Sequence, residues 1–213
     1  LFGGLFGVFE GSALAQLPAR YNLAPGQTAG VLIKPKAEIE LATLQWGLLP
    51  FWAKEPGLAS HTINARLDTV DSKPSFRAAF KTRHAVVPMA GYYEWQATAQ
   101  GKQPYYFQPE RGVDSLCAVG LWEPRHALQT DASSGTFTII TQPAEGLPAS
   151  IHNRMPILLE ERDVDKWLSL KPGPSLPFLL TRTLPALKVY PVAKRVNAAR
   201  DDDAGLIEAL PMA

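Results

Sequence analysis

Cysteine is nearly absent from this sequence: Cys117 is the only one in 213 residues. That excludes an internal disulfide and any cysteine-rich metal site, and it suits a reducing compartment. The histidines, His61, His84, His126 and His152, include no pair at metal-ligand spacing, so neither a zinc site nor any other cofactor is expected. No apolar run approaches the length that spans a bilayer. No basic stretch leads into an apolar one, so no export signal is read. The expectation is a soluble, cytoplasmic protein without a membrane partner. Net charge is scarce as well. A formal value of +1 gives no bulk attraction to nucleic acid, so any such binding must come from a local patch. There is no Gly-x-Ser-x-Gly elbow and no glycine-rich phosphate loop. An initial Met is missing too. The opening run Leu1-Phe2-Gly3-Gly4-Leu5-Phe6-Gly7-Val8-Phe9 reads as the inside of an apolar element, and an upstream segment is expected.

What is present describes a globular chain. Hydrophobic residues make up 46% and charged residues 19%, enough for one sizeable domain with its own core. The 19 prolines punctuate the first half and argue against long helices there. Short strands are expected over Gly30 to Ile33, Leu41 to Leu48, Ala85 to Val87, Gly91 to Gln96, Leu116 to Trp122 and Thr136 to Thr141. A turn at Gln100-Gly101-Lys102 makes Pro104 to Phe107 the return arm of a hairpin. Helices are expected over Phe76 to Lys81, Asp163 to Leu170 and Asp203 to Leu210. The fold class is α+β: a single β-rich domain over residues 1–213, without internal repeats, with a barrel-like sheet and a few peripheral helices.

Three distant segments carry chemistry-bearing residues among aromatic and apolar neighbours. In Gly91-Tyr92-Tyr93-Glu94-Trp95 a carboxylate is flanked by aromatics, which is costly if it is buried without a partner. Glu94 is either an outward strand residue or a proton carrier. His152, in Ile151-His152-Asn153-Arg154-Met155-Pro156, is either a structural histidine or an acid–base group on a positioned loop. Asn64 and Arg66 share one side of an extended Ile63-Asn64-Ala65-Arg66. They form a polar outer face, or an amide that orients a reactant beside a guanidinium that grips phosphate. Trp52, after Phe51, could stack on a nucleobase or anchor the core. Cys117 reads as a small buried hydrophobe.

Taken together, these segments resemble the SRAP family (SOS response-associated peptidase, or abasic-site processing proteins). The resemblance runs from Pro18-Ala19-Arg20-Tyr21-Asn22-Leu23-Ala24-Pro25-Gly26-Gln27 through Trp46-Gly47-Leu48-Leu49-Pro50 and Ile63-Asn64-Ala65-Arg66-Leu67-Asp68-Thr69 to the Glu94 and His152 segments. It implies a monomeric β-rich domain whose basic groove holds single-stranded DNA containing an abasic site. It further implies an N-terminal cysteine, exposed by removal of the initiator Met, that condenses with the opened sugar aldehyde to a thiazolidine. Asn64, Glu94 and His152 would then be catalytic, Arg66 and Arg154 would contact phosphate, and Trp52 would stack. The family's Met-Cys-Gly-Arg start has no match here. Either Gly3-Gly4-Leu5-Phe6 is a degenerate version of it, or Leu5 to Phe9 is the helix that follows it and about a dozen residues precede Leu1. Without that thiol the sequence as it stands is expected to be unable to crosslink. Two other readings remain at this point: a non-covalent single-stranded DNA-binding module, and a small-molecule hydrolase using Glu94 and His152.

Overall fold

A computed structural model describes residues 19–110, 115–171 and 173–211. The Leu5 to Phe9 helix lies outside the described residues. Strand β1 (Thr28–Ile33) pairs antiparallel with β2 (Glu40–Trp46), and β3 (Asn64–Arg66) follows a 3-10 turn at Pro56–His61. Helix α1 (Arg77–Thr82) leads into β4 (His84–Met89), which pairs with both β1 and β7 (Leu116–Pro124). Strand β8 (Gly135–Pro143) then pairs antiparallel with β7 and parallel with β2. The pairings β7–β4–β1–β2–β8–β7 form a ring, so five strands close a barrel and need no protected edge. On its outside β3 adds to β8 in parallel, β9 (Arg154–Pro156) to β8, and β10 (Leu158–Leu159) to β7.

Alternation along the barrel strands sorts their side chains into two cores. Val31, Ile33, Leu44, Ala85, Val87, Ala118, Phe137 and Ile139 fill the interior. Leu32, Val86, Val119, Leu121 and Ile140 point out, under α1, α2 (Val164–Leu168) and α3 (Ser175–Thr181). Both faces of β7 and β8 are therefore covered. This is why Thr136 and Thr138, expected to alternate with Phe137 and Ile139, are themselves fully buried; Thr136 accepts a hydrogen bond from the Leu49 backbone (2.9 Å).

A separate sheet, ordered β11–β6–β5, carries Glu94: β5 (Tyr92–Thr98) and β6 (Gly101–Pro109) form a hairpin, and β11 (Leu187–Pro191) pairs with β6. Gly101 takes φ +99 at the turn, where a side chain would be strained. Gly91 matters differently. A Cβ there would stand 2.3 Å from the Phe107 carbonyl oxygen, so only glycine lets the start of β5 close on β6.

The expected strands and the first two helices are found, with shifted ends. Pro88 sits within β4, near its end, instead of between two strands. The terminal helix at Asp203 to Leu210 is corrected: this stretch holds one 3-10 turn, Ala204–Ile207, capped by the Asp203 carboxylate on the Gly205 N–H. Strands β9 to β11 and helix α3 were not expected.

Candidate active site

The site is built on β5. Tyr93 and Trp95 point to one side of it, where Tyr93 packs with Tyr106 and hydrogen-bonds the Tyr21 carbonyl (2.7 Å), and the Trp95 indole donates to Asn197 (2.7 Å). Asn22 reinforces that side by donating to the carbonyls of Val196, Ala198 and Asp201. Tyr92 and Glu94 point to the other side. Tyr92 stacks on Phe107 (4.7 Å, interplanar 9°) and packs against the barrel interior. The strand is thus clamped from behind and fixes Glu94 toward the barrel.

Glu94 meets His152 there. Its Oε2 is 3.4 Å from His152 Nδ1, with the carboxylate side chain 24% exposed and the imidazole 40% exposed. Burial pushes the Glu94 carboxyl above the usual range; the His152 charge and the Trp95 backbone pull the other way and do not win. Burial, with the Glu94 charge added, also raises the Tyr92 phenol, whose hydroxyl is enclosed without a hydrogen bond.

His152 is placed by the 3-10 turn Leu147–Ser150, its N–H bonding the Pro148 carbonyl (3.1 Å). Its Nδ1 lies 3.1 Å from the Arg154 carbonyl and 3.3 Å from the Arg154 N–H. One nitrogen cannot serve all three neighbours at once. Protonated, it donates to the carbonyl or to Glu94; unprotonated, it accepts from the N–H. An open cavity of about 660 Å³ adjoins the pair, lined also by Lys102, Asn153 and Asn197.

The arginines converge on β8. Arg66 stands opposite Thr141 in the β3–β8 register. The Arg154 guanidinium bonds the Thr141 carbonyl (2.6 Å) and hydroxyl (3.2 Å), and reaches the Asp68 carboxylate at 3.5 Å. Arg154 is thus partly committed, whereas Arg66 is exposed and has no side-chain partner among the described residues. Asn64 is exposed two residues earlier, across from Ile139, and makes no hydrogen bond to Glu94 or His152. Trp52 is 42% exposed and its indole reaches the Pro74 carbonyl at 3.4 Å; Phe51 beside it is 71% exposed. Neither is a core anchor. Cys117 is buried in β7 and its thiol is pushed up to about 12, so it offers no thiolate at neutral pH. Among the described residues no group of three or more His, Cys, Asp or Glu could hold a metal ion, and no helix is long and apolar enough to cross a membrane.

The sequence reading missed Asp68 and Thr141 as partners of Arg154. Thr141 becomes one only through long-range pairing of β8 with β3 and β9, for which local sequence has no signal. Gln96, on the same side of β5 as Glu94, was findable by extending the alternation two residues. A raised carboxylate against an imidazole, beside an open cavity, is suited to moving protons.

Residues 5–199 match the family described as SOS response associated peptidase (SRAP). The chain is 30% identical over 192 residues to abasic site processing protein YoqW of Bacillus subtilis, covering 88% of this chain and 85% of that one. It is 32% identical over 216 residues to abasic site processing protein HMCES of Gallus gallus, covering 85% of this chain and 63% of that one. A crystal structure of a Bacteroides thetaiotaomicron protein superposes with a TM-score of 0.74 at 26% identity, over 87% of this chain and 82% of that one. With the family match spanning nearly the whole sequence and a solved structure sharing the fold, this chain belongs to the SRAP family.

Proposed function

We propose that this protein processes abasic sites in single-stranded DNA by covalent capture of the opened sugar. The observation that carries the reading is the Glu94–His152 contact at 3.4 Å, with Glu94 held above the ordinary carboxylate range by burial. It joins the two segments that the family resemblance singles out. The relatives' names as abasic site processing proteins supply the substrate class.

In this reading His152 protonates the ring oxygen as the ring C–O bond breaks and the anomeric hydroxyl gives up its proton to water, so that the sugar opens to its aldehyde. The α-amine of an N-terminal cysteine adds to the carbonyl carbon and water leaves, giving an imine. The cysteine sulfur then adds to the same carbon, the proton passing from sulfur to nitrogen, and a thiazolidine closes. Glu94 accepts the amine proton before attack, and Asn64 orients the amine. Cys117 cannot take this role, since it is buried and its backbone nitrogen is an amide. Glu94 also serves as proton shuttle in removing the residue that precedes the cysteine. Arg66 and Arg154 neutralise phosphates, and Trp52 with Phe51 offers aromatic faces to unstacked bases. No cofactor is required, and the protein acts as a cytoplasmic monomer.

The test compares the chain starting at Leu1 with a version that begins with a free cysteine, each incubated with abasic single-stranded DNA and run on a denaturing gel. The cysteine-led protein is expected to give a heat-stable shifted band, and the Leu1 chain to bind without one. An equal band from both would overturn the N-terminal thiol. Binding by both with no band from either would favour non-covalent DNA binding.

A further inference from the structure

The His152 loop is anchored at one end by β9 and by the Ala144 N–H to Asn153 carbonyl bond (3.0 Å). On its other side the loop packs through the buried Pro148, and one side-chain hydrogen bond ties it to β5. Gln96 Nε2 donates to the Ser150 carbonyl at 2.9 Å, two residues before His152. Gln96 lies on the same side of β5 as Glu94, one alternation along. The carbonyl can only accept, so the amide nitrogen must be the atom that faces it. The turn it holds is otherwise closed on itself, through the Ser150 hydroxyl to the Leu147 carbonyl (2.8 Å) and the Ile151 N–H to the Pro148 carbonyl (3.0 Å).

We infer that Gln96 is a positioning residue: it ties the His152 loop to the strand that carries Glu94 and thereby sets the distance between the two groups. This rests on the proposed function for its catalytic consequence, but not for its geometry. Glu94 and His152 are separated by 58 positions in sequence and meet at a loose 3.4 Å. A proton-transfer pair loses efficiency steeply when displaced, so a single bond bridging strand and loop has leverage beyond its own strength. Besides His152, the ionisable groups around Glu94 are Tyr92, whose phenol the Glu94 charge helps to raise, and Lys102, which lines the same cavity.

The test replaces the donor at constant length. Gln96→Met removes it, and Gln96→Lys restores a donor of similar reach. The first readout is a carbon-detected NMR titration of the Glu94 carboxyl in the free chain. Withdrawal of His152 removes the influence that holds Glu94 down, so Gln96→Met should move its midpoint to higher pH and Gln96→Lys should move it back. The second is adduct formation by the cysteine-led protein at saturating DNA. There Gln96→Met should slow the step about tenfold, with DNA affinity and melting temperature unchanged and the acid limb of the rate profile shifted up. An unmoved Glu94 titration together with an unchanged rate would overturn the inference. A shifted titration in a protein that forms no adduct at all would uphold the positioning role and remove the proposed function instead.

Discussion

The barrel and the β5–β6–β11 sheet each enclose a glutamate that burial pushes above the usual carboxylate range, and the two are held very differently. Glu123, on barrel strand β7, is 3% exposed and meets Arg83 at 2.6 Å. Glu94, on β5, is 24% exposed and meets a histidine at 3.4 Å. The first partner is permanently charged and close. The second can lose its proton, and a cavity adjoins it. A buried acid with a rigid cationic partner is a structural element, and a buried acid with a titratable partner and an open side is a tool. The same contrast runs through the backbone. Barrel strands β7 and β8 are buried along nearly their whole length, whereas every residue from Tyr92 to Gln96 is only half-buried.

The largest effect should come from breaking the barrel pair. Glu123→Ala leaves the Arg83 guanidinium, whose Nε is already enclosed without a partner, facing no charge at all. Removing one member of a buried pair typically costs 3–5 kcal/mol, and about 3 kcal/mol is expected here because Arg83 is 26% exposed. Urea unfolding should show a lower midpoint at unchanged slope. Any loss of adduct formation should follow the loss of folded protein.

Glu94→Ala should do the reverse. In the cysteine-led protein the adduct-forming step should fall by about a hundredfold or more, the usual loss for a general acid–base, which is about 2.7 kcal/mol of barrier. Stability should change by less than about 1 kcal/mol. Rapid-quench sampling on denaturing gels, beside the same urea curve, separates the two. A Glu94→Ala protein that unfolds early but reacts normally when folded would erase the distinction between the two carboxylates.

Much of this division was legible in the sequence. Glu94 stood out because Tyr92, Tyr93 and Trp95 surround it, and the alternation that places Tyr92 with Glu94 is realised in β5. Closure of the barrel was not legible. It depends on β2 running parallel to β8, a pairing between segments some ninety residues apart that neither strand's own pattern encodes. Strand β9 and β10 are too short to show a period, being three and two residues long. Helix α3 begins after Pro174, and its buried residues are only Ser175 and Leu179, too few to mark an amphipathic face. Where a helix was expected over Asp203 to Leu210, Asp203 does cap a turn, but the chain leaves it after four residues.

The arginines divide along the same line. Arg66 is exposed without a partner among the described residues, whereas Arg154 is tied to Thr141 and Asp68. If both contact phosphate, either alanine variant should weaken single-stranded DNA binding and reduce the salt slope by about 0.7. Only Arg154→Ala should also destabilise the fold, by about 1 kcal/mol, because it removes the guanidinium bonds to the Thr141 carbonyl and hydroxyl, although that carbonyl keeps the Leu67 N–H (2.9 Å). Fluorescence anisotropy across a salt series, with melting curves, checks both. Equal melting temperatures for the two variants would mean that Arg154 is as free as Arg66.

The smallest effect concerns stability against pH. Burial raises the Glu94 carboxyl in the folded state, so the folded protein binds that proton more tightly than the unfolded chain does. Stability therefore falls as pH rises from the unfolded carboxyl value through the folded one, and stays lower above it. Glu94→Gln keeps the shape and removes the charge. It should match the parent at low pH, where Glu94 is protonated in both states, and exceed it slightly at neutral pH. Because Glu94 is partly solvated and His152 offsets part of the burial, the gain should be smaller than any effect above. Urea midpoints from pH 4 to 8 test this, read as the difference between parent and variant. A difference that opens with rising pH would show the active-site acid working against the fold that holds it. A flat difference would mean that Glu94 is as well served by its surroundings when charged as when neutral, and would remove the burial argument for its role as a base.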